Sequence, residues 1–260
     1  MVLLIVKQAK YSFGYRLPVF RWEEFFMEIR VGMAKTTKYA VSHSGDSAEI
    51  AERAQGGVSV ILADGQGSGK SGKNTSTLVM NKAVSLIMDG ARDGAVARAV
   101  HDFLYAVKNG QVSSTLTILS ADLDTDTVVI SRNSNCPVVV KTNEYLTVYD
   151  EAVNPIGVHK HTKPLMYQLP LEIGMVLVSY TDGIHAAGKK RGKQIDFKHI
   201  IKIIEENNVD DVDFIANSIL EYALELDENR PGDDMTVVVM GISGKEYKNK
   251  IRRVHVSFPY

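Results

Sequence analysis

The sequence predicts an α+β fold in which two antiparallel sheets stack on each other and helices cover their outer faces. Three observations carry this. Strands, a helix pair, more strands, a second helix pair and a final strand follow one another along the chain. Two continuous apolar runs, residues 58–63 and 175–180, read as strands buried on both faces and therefore central. The helical segments recur with apolar residues three and four apart, one covered face each.

Taken in order, residues 28–43 alternate and are expected to form two strands around Lys35-Thr36-Thr37, followed by the strand at 58–63. Residues 75–88 set Leu78, Val79, Lys82, Ala83, Leu86 and Ile87 at helical spacing. Residues 95–107 do the same with Val96, Ala99, Val100, Phe103 and Leu104, between start and stop signals at Asp93 and Asn109-Gly110. A meander of strands is expected at 114–121, 128–132, 138–141, 145–149, 166–169 and 175–180, with turn formers Asp124-Thr125-Asp126 and Thr142-Asn143 between them. Helices at 197–206 and 212–226 precede a last strand at 235–242.

The 260 residues are 45% hydrophobic and 23% charged, an ordinary globular composition, and the net charge of -1 provides no global field for nucleic acid. Cys136 is the only cysteine, which excludes an internal disulfide or a multi-cysteine zinc site and suits a reducing cytoplasm. The apolar run 1–6 is too short for a signal-peptide core or a membrane span. Residues 1–26 follow neither period and read as an N-terminal appendage; if Trp22-Glu23-Glu24 translates a purine-rich ribosome-binding sequence, Met27 is the natural start. Residues 27–245 carry no repeat or linker and read as one domain, with 246–260 a C-terminal tail.

The stretch Ile61 to Lys73, ILADGQGSGKSGK, resembles a phosphate-binding P-loop except that Asp64 stands where its first glycine belongs. A carboxylate there repels an anion unless a cation stands between them. Three further acidic motifs lie at strand ends: Ser44-Gly45-Asp46-Ser47, Thr181-Asp182-Gly183 and Gly232-Asp233-Asp234. One such aspartate alone is a turn residue. Four of them, two at the ends of the most apolar strands, are expected to converge, and the motifs hold no balancing Lys or Arg. Hard oxygen ligands select Mg²⁺ or Mn²⁺, and two such ions form a device for attacking a phosphate ester.

In this order and spacing, Ala63-Asp64-Gly65-x-Gly, Tyr180-Thr181-Asp182-Gly183 and Asp233-Asp234-Met235-Thr236-Val237 resemble the metal-dependent protein phosphatases (PPM, type 2C-like). The likeness is to the bacterial branch that includes stage II sporulation protein E and the sigma-regulatory phosphatases, to which Asp46 and Asn154-Pro155-Ile156-Gly157 also conform. The resemblance implies an α-β-β-α sandwich over residues 27–242 and a protein serine/threonine phosphatase with two Mn²⁺ or Mg²⁺ ions. By motif, Asp64 bridges both ions, Asp182 and Asp233 complete the first site, and the Gly65 carbonyl and Asp46 serve the second; Asp234 orients. A hydroxide between the ions attacks phosphorus in line. The implied partner is a phosphorylated regulatory protein, such as an anti-sigma-factor antagonist, in cytoplasmic sporulation or stress signalling, with neither nucleic acid nor membrane involved.

The chain departs from eukaryotic-type relatives at Gln66, where they carry a proton-donating His, and lacks their phosphate-holding Arg ahead of Asp46, for which Lys38 or His43 could substitute. Two other readings compete: a pseudophosphatase acting as a binding module, and a P-loop nucleotide enzyme dependent on Lys70. His159 and His161 read as exposed loop residues and His185 as the start of a helix. Lys70 and Lys73 read as the exposed face of a helix start, and Lys189-Lys190-Arg191-Gly192-Lys193 as a solvated loop.

Overall fold

The computed structural model describes residues 25–246 and 251–257; the expectations for residues 1–24 lie outside them. By its internal contacts the chain divides into residues 27–245 and a second unit of residues 1–26 with 246–260. In the second unit, residues 251–257 are exposed and in neither helix nor strand.

In chain order the elements, which make up the first unit apart from the outermost residues of β1 and β10, are β1 (Phe25–Thr36), β2 (Asp46–Glu52), β3 (Gly57–Asp64), α1 (Lys70–Met88), α2 (Asp93–Val107), β4 (Leu116–Asp122), β5 (Thr127–Asn133), β6 (Val138–Lys141) and β7 (Leu146–Tyr149). They continue with β8 (Leu165–Pro170), β9 (Val176–Tyr180), the one-turn α3 (Asp182–His185), a 3-10 turn Lys189–Arg191, α4 (Phe197–Glu206), α5 (Val212–Leu226) and β10 (Met235–Glu246). Two five-stranded sheets result, in the orders β1-β10-β9-β6-β7 and β2-β3-β4-β5-β8.

Side-chain alternation builds the layers. On β3, Ile61 and Ala63 face α1 and α2, joining Val79, Ala83, Val100 and Leu104. Val60 and Leu62 point the other way, into a core with Leu119, Leu177, Val238 and Met240 from both sheets. On the far side Val178, Val237 and Val239 meet Ile200, Ile204, Ile215 and Ile219 of α4 and α5. The arrangement is the expected α-β-β-α sandwich, and its central strands are apolar throughout because both their faces are covered.

The N-terminal expectation fails in detail. Residues 28–43 form one strand ending at Thr36, not two, and the strand that pairs with β3 is Asp46–Glu52. Its sequence DSAEIAE is polar because β2 is an edge strand, with Glu49 and Ile50 exposed. Cross-strand pairing with β3 overrides the weak local preference. The helix expected at 75–88 begins at Lys70, and His185 ends α3 rather than starting a helix.

Two buried arginines organise the second sheet. Arg53 Nη1 reaches Asp93 Oδ1 at 3.1 Å and Nη2 reaches Asp122 Oδ2 at 3.0 Å, tying the β2–β3 turn to the start of α2 and the end of β4. Fully buried Arg132 donates to the carbonyl oxygens of Ser134, at 2.7 Å, and of Glu151. Burying such a charge is costly unless it is paired and hydrogen-bonded; the Arg53 guanidinium meets two carboxylates, whereas Arg132 Nε is left without a partner among the described residues.

Candidate metal centre

Antiparallel register brings the first two carboxylates together. Asp46, the first residue of β2, lies directly opposite Asp64, the last of β3. Residues so paired project from the same face with Cα atoms about 4.5–5.5 Å apart. Asp64 shares the parity of Val60 and Leu62, so this face is the one turned toward the other sheet. There Thr181, after β9, and Thr236, on β10, send their hydroxyls to Asp46 Oδ2 at 2.9 and 2.6 Å. The two threonines also lock each other, since Thr236 N donates to Thr181 Oγ1 at 3.0 Å.

Asp182 follows Thr181 as the first residue of α3, and Asp233-Asp234 immediately precedes β10. Asp234 is engaged by backbone: Oδ1 accepts from Lys38 N at 2.9 Å and Oδ2 from Gly45 N at 2.7 Å. It fixes the loop that delivers Asp46, in keeping with an orienting role. Gly183 must be glycine because a Cβ there would collide with the Asp234 carbonyl oxygen. Gly65 is equally confined, since a Cβ would strike the Gly72 carbonyl oxygen and approach Ser76 N at 2.7 Å.

The electrostatics follow from this crowding. Asp64 is pushed up to about 8, first by burial and then by the charges of Asp46, Asp182, Asp233 and Asp234. Asp46 is raised to about 6 by burial, with the Thr236 and Thr181 hydrogen bonds and Lys35 opposing. More than a third of the Asp182 residue meets solvent, yet the protein around its carboxyl raises its pKa, and Asp233 adds to this. Asp64's backbone is held by Thr115 and Ser114, with Ser114 Oγ donating to its carbonyl at 2.7 Å. Among the described residues, no hydrogen bond reaches its carboxylate.

Lysines from outside the acidic motifs ring the cluster, an offset the motifs themselves did not reveal. Lys35 Nζ donates to the Asp46 carbonyl at 2.7 Å, Lys38 Nζ stands 3.8 Å from Asp233 Oδ1, and Lys73 Nζ donates to Ser47 Oγ at 3.1 Å. Sequence reasoning missed Lys35, Thr181 and Thr236 as functional residues. The threonines sit inside the quoted motifs, so their signal was present; Lys35 gave none. His43 instead meets Ser42 Oγ at 2.8 Å.

In kind the donors fit a hard divalent cation: carboxylates whose charges oppose one another's ionisation. Among the described residues no three Asp, Glu, His or Cys side chains stand close enough together to hold a metal ion as they are placed. Gln66 is tied to the neighbouring loop, its Oε1 accepting from Ser113 N at 2.8 Å and Ser113 Oγ at 3.1 Å. The P-loop reading fails on topology. That motif joins a strand to a helix in a parallel sheet, whereas β3 is antiparallel to both its neighbours. Cys136 is buried and free, its thiol pushed up to about 12 by burial first. Among the described residues no helix is long and apolar enough to cross a membrane.

The fold is similar to solved phosphatase domains. The PP2C phosphatase domain with a regulatory-domain fragment of SpoIIE from Bacillus subtilis superposes with a TM-score of 0.74 at 20% identity over 85% of this chain. This chain spans 65% of that structure's length. The catalytic domain of the serine/threonine protein phosphatase PstP, in complex with two manganese ions, gives 0.66 at 16% identity, covering 84% of this chain and 100% of that one. RsbX in complex with magnesium gives 0.65 at 17% identity, covering 84% and 100%. No curated protein sequence matches the chain. The family model for stage II sporulation protein E (SpoIIE) matches residues 54–243, and the chain belongs to that family.

Proposed function

We propose that residues 27–245 are a metal-dependent phosphatase domain that hydrolyses phosphoserine or phosphothreonine on a regulatory protein, such as an anti-sigma-factor antagonist, in cytoplasmic sporulation or stress signalling. The observation that carries this reading is the pairing of Asp46 with Asp64 across β2 and β3, among Asp182, Asp233 and Asp234, whose charges together with burial raise the Asp64 carboxyl. Such a cluster has little structural use and an obvious chemical one, holding divalent cations. The manganese- and magnesium-bound states of PstP and RsbX support the same choice of ions.

Asp64, Asp182 and Asp233, with the Gly65 carbonyl and Asp46, would hold two Mn²⁺ or Mg²⁺ ions. Bound there, the ions supply charge neutralisation at the phosphoryl oxygens and a water of lowered pKa. The chain's own residues set the frame. Thr181 and Thr236 keep Asp46 oriented across the two sheets. Asp234 holds the loop of Gly45, and Lys38 and Lys35 give an incoming phosphate a cationic approach. Between the two substitutes for a phosphate-holding arginine, Lys38 is the better placed, since His43 engages Ser42 instead.

The test is hydrolysis of p-nitrophenyl phosphate and of a phosphoprotein by the purified chain. Turnover should require Mn²⁺ or Mg²⁺ and vanish in Asp64→Ala and Asp182→Ala. Metal-independent turnover unaffected by Asp182→Ala would reject the reading. The tethering of Gln66 to Ser113 favours one alternative, a pseudophosphatase that binds without hydrolysing. Metal binding with no turnover on any phosphoprotein would select it.

A further inference from the structure

Residues 150–164 join β7 to β8 without a regular helix or strand, and the loop is braced from beneath. Arg132 holds the Glu151 carbonyl, and Asn133 Nδ2 donates to the carbonyls of Asn154 at 2.9 Å and Lys163 at 3.2 Å. Asn135 Oδ1 accepts from Val153 N at 3.0 Å, and Ile156 exchanges backbone hydrogen bonds with Ser114 at 2.9 and 3.0 Å. Thr162 Oγ1 closes the tip on the His159 carbonyl at 2.9 Å, and His161 is held at a φ of 60°. A loop fixed at this many points presents its side chains in a set arrangement.

The braced segment encloses a recess of about 410 Å³ whose lining includes Asn135, Asn154, His159, Lys160, His161 and Lys163. No carboxylate lines it, and neither Lys160 nor Lys163 has an ion pair among the described residues. The more conspicuous basic run at 189–193 differs: Arg191 and Lys193 each stand 3.6 Å from Glu228, and Lys190 Nζ donates to the Gly232 carbonyl at 2.6 Å. The cations of 160 and 163 are unclaimed and share one concave surface.

Its distance from the carboxylates is fixed by pairing. Gly65 bridges Ser114, and Ser114 bridges Ile156. Two interstrand spacings put Ile156 about 10 Å from the metal-centre backbone, and Asn154 of the recess precedes it by two residues. An extended peptide advances about 3.3 Å per residue, so the recess lies about three to five residues from a phosphoserine seated at Asp64.

We infer that this recess docks acidic side chains of the substrate protein, at about three to five residues from the phosphorylated position, through Lys160 and Lys163 with the neighbouring amides and imidazoles. The inference rests on the phosphatase reading for the seat of the phosphate, and it names the substrate class that reading leaves open: phosphoproteins with Asp or Glu flanking the phosphoserine. Exposed pairs contribute little each, so the effect is on KM and salt dependence rather than on kcat.

Two peptides test it, one with acidic flanks and one with the corresponding Asn and Gln, each as a hydrolysable phosphoserine and as a phosphonate that cannot turn over. Binding of the phosphonates to the Mn²⁺-loaded protein should favour the acidic peptide several-fold at low salt. The preference should disappear at high salt and in the double variant Lys160→Glu, Lys163→Glu. The same variant should raise KM for the acidic substrate about tenfold and leave kcat and p-nitrophenyl phosphate turnover unchanged. Equal binding of the two phosphonates to the unaltered protein, or a preference that survives in the variant, overturns the inference. So does a single-stranded oligonucleotide of equal charge that displaces the acidic peptide more effectively than the peptide itself. Charge-dependent binding without turnover of p-nitrophenyl phosphate would reject the phosphatase reading and leave the docking recess standing.

Discussion

The carboxylate of Asp46, at the start of β2, accepts a 2.6 Å hydrogen bond from the hydroxyl of Thr236 on β10, 190 residues away and in the other sheet. The bond ties the two sheets together where the acidic residues gather, so the centre is built across the sandwich rather than on one layer of it.

Thr236→Val should leave Asp46 buried with one donor fewer. The expected cost is about 1–3 kcal/mol, the usual penalty for an under-satisfied buried acceptor. Urea denaturation would measure it, and Thr236→Ser should recover most of the loss because it restores the hydroxyl. An unchanged urea midpoint in the valine variant would remove the threonine from the account of the site.

Stability should depend on pH in a way that metal reverses. Asp64 rises from 3.8 to about 8 on folding, so the folded state favours its protonated form. Its contribution is therefore fully present below about pH 4 and lost as pH rises through about 8. Thermal melts of metal-free protein should show this fall more strongly than melts in Mn²⁺, because a bound cation favours the ionised form. Asp64→Asn should flatten the metal-free profile and raise the melting temperature near pH 8, while abolishing turnover.

Gly183→Ala should be more damaging than an added methyl usually is. Overpacking typically costs about 1–3 kcal/mol, but here the obstacle is the Asp234 carbonyl, part of the backbone that positions β10. The expected loss is about 3 kcal/mol or more, visible as poor soluble yield or a much lower melting temperature.

Cys136 should resist thiol reagents in the folded protein at pH 8, since its thiol is raised from 9.0 to about 12 by burial and by the charges of Asp182, Asp64 and Asp46. The stability linked to it is complete below about pH 9 and lost as pH rises through about 12. Rapid labelling by a disulfide reagent in buffer alone, at the rate seen in denaturant, would contradict this burial.

Much of the fold was legible in the sequence. The runs at 58–63 and 175–180 are apolar because two layers press on them, and the helical stripes of residues 75–107 and 197–226 mark the faces that cover the sheets. Strand β2 was not legible: DSAEIAE has the composition of a surface segment, and only its pairing with β3 makes it a strand. The same pairing decides the site. Sequence named Asp46, Asp64, Asp182 and Asp233 as chemically charged strand ends in a telling order, since residue type and spacing are local properties. The sequence left Lys35 unmarked, and it left open that Asp46 opposes Asp64, that two threonines from the other sheet grip Asp46, and that Lys160 and Lys163 have no ion pair among the described residues while Arg191 and Lys193 share Glu228. Those are relations between segments far apart in the chain. Only the tertiary structure decides them, because sheet register and layer packing, not local preference, determine which side chains meet.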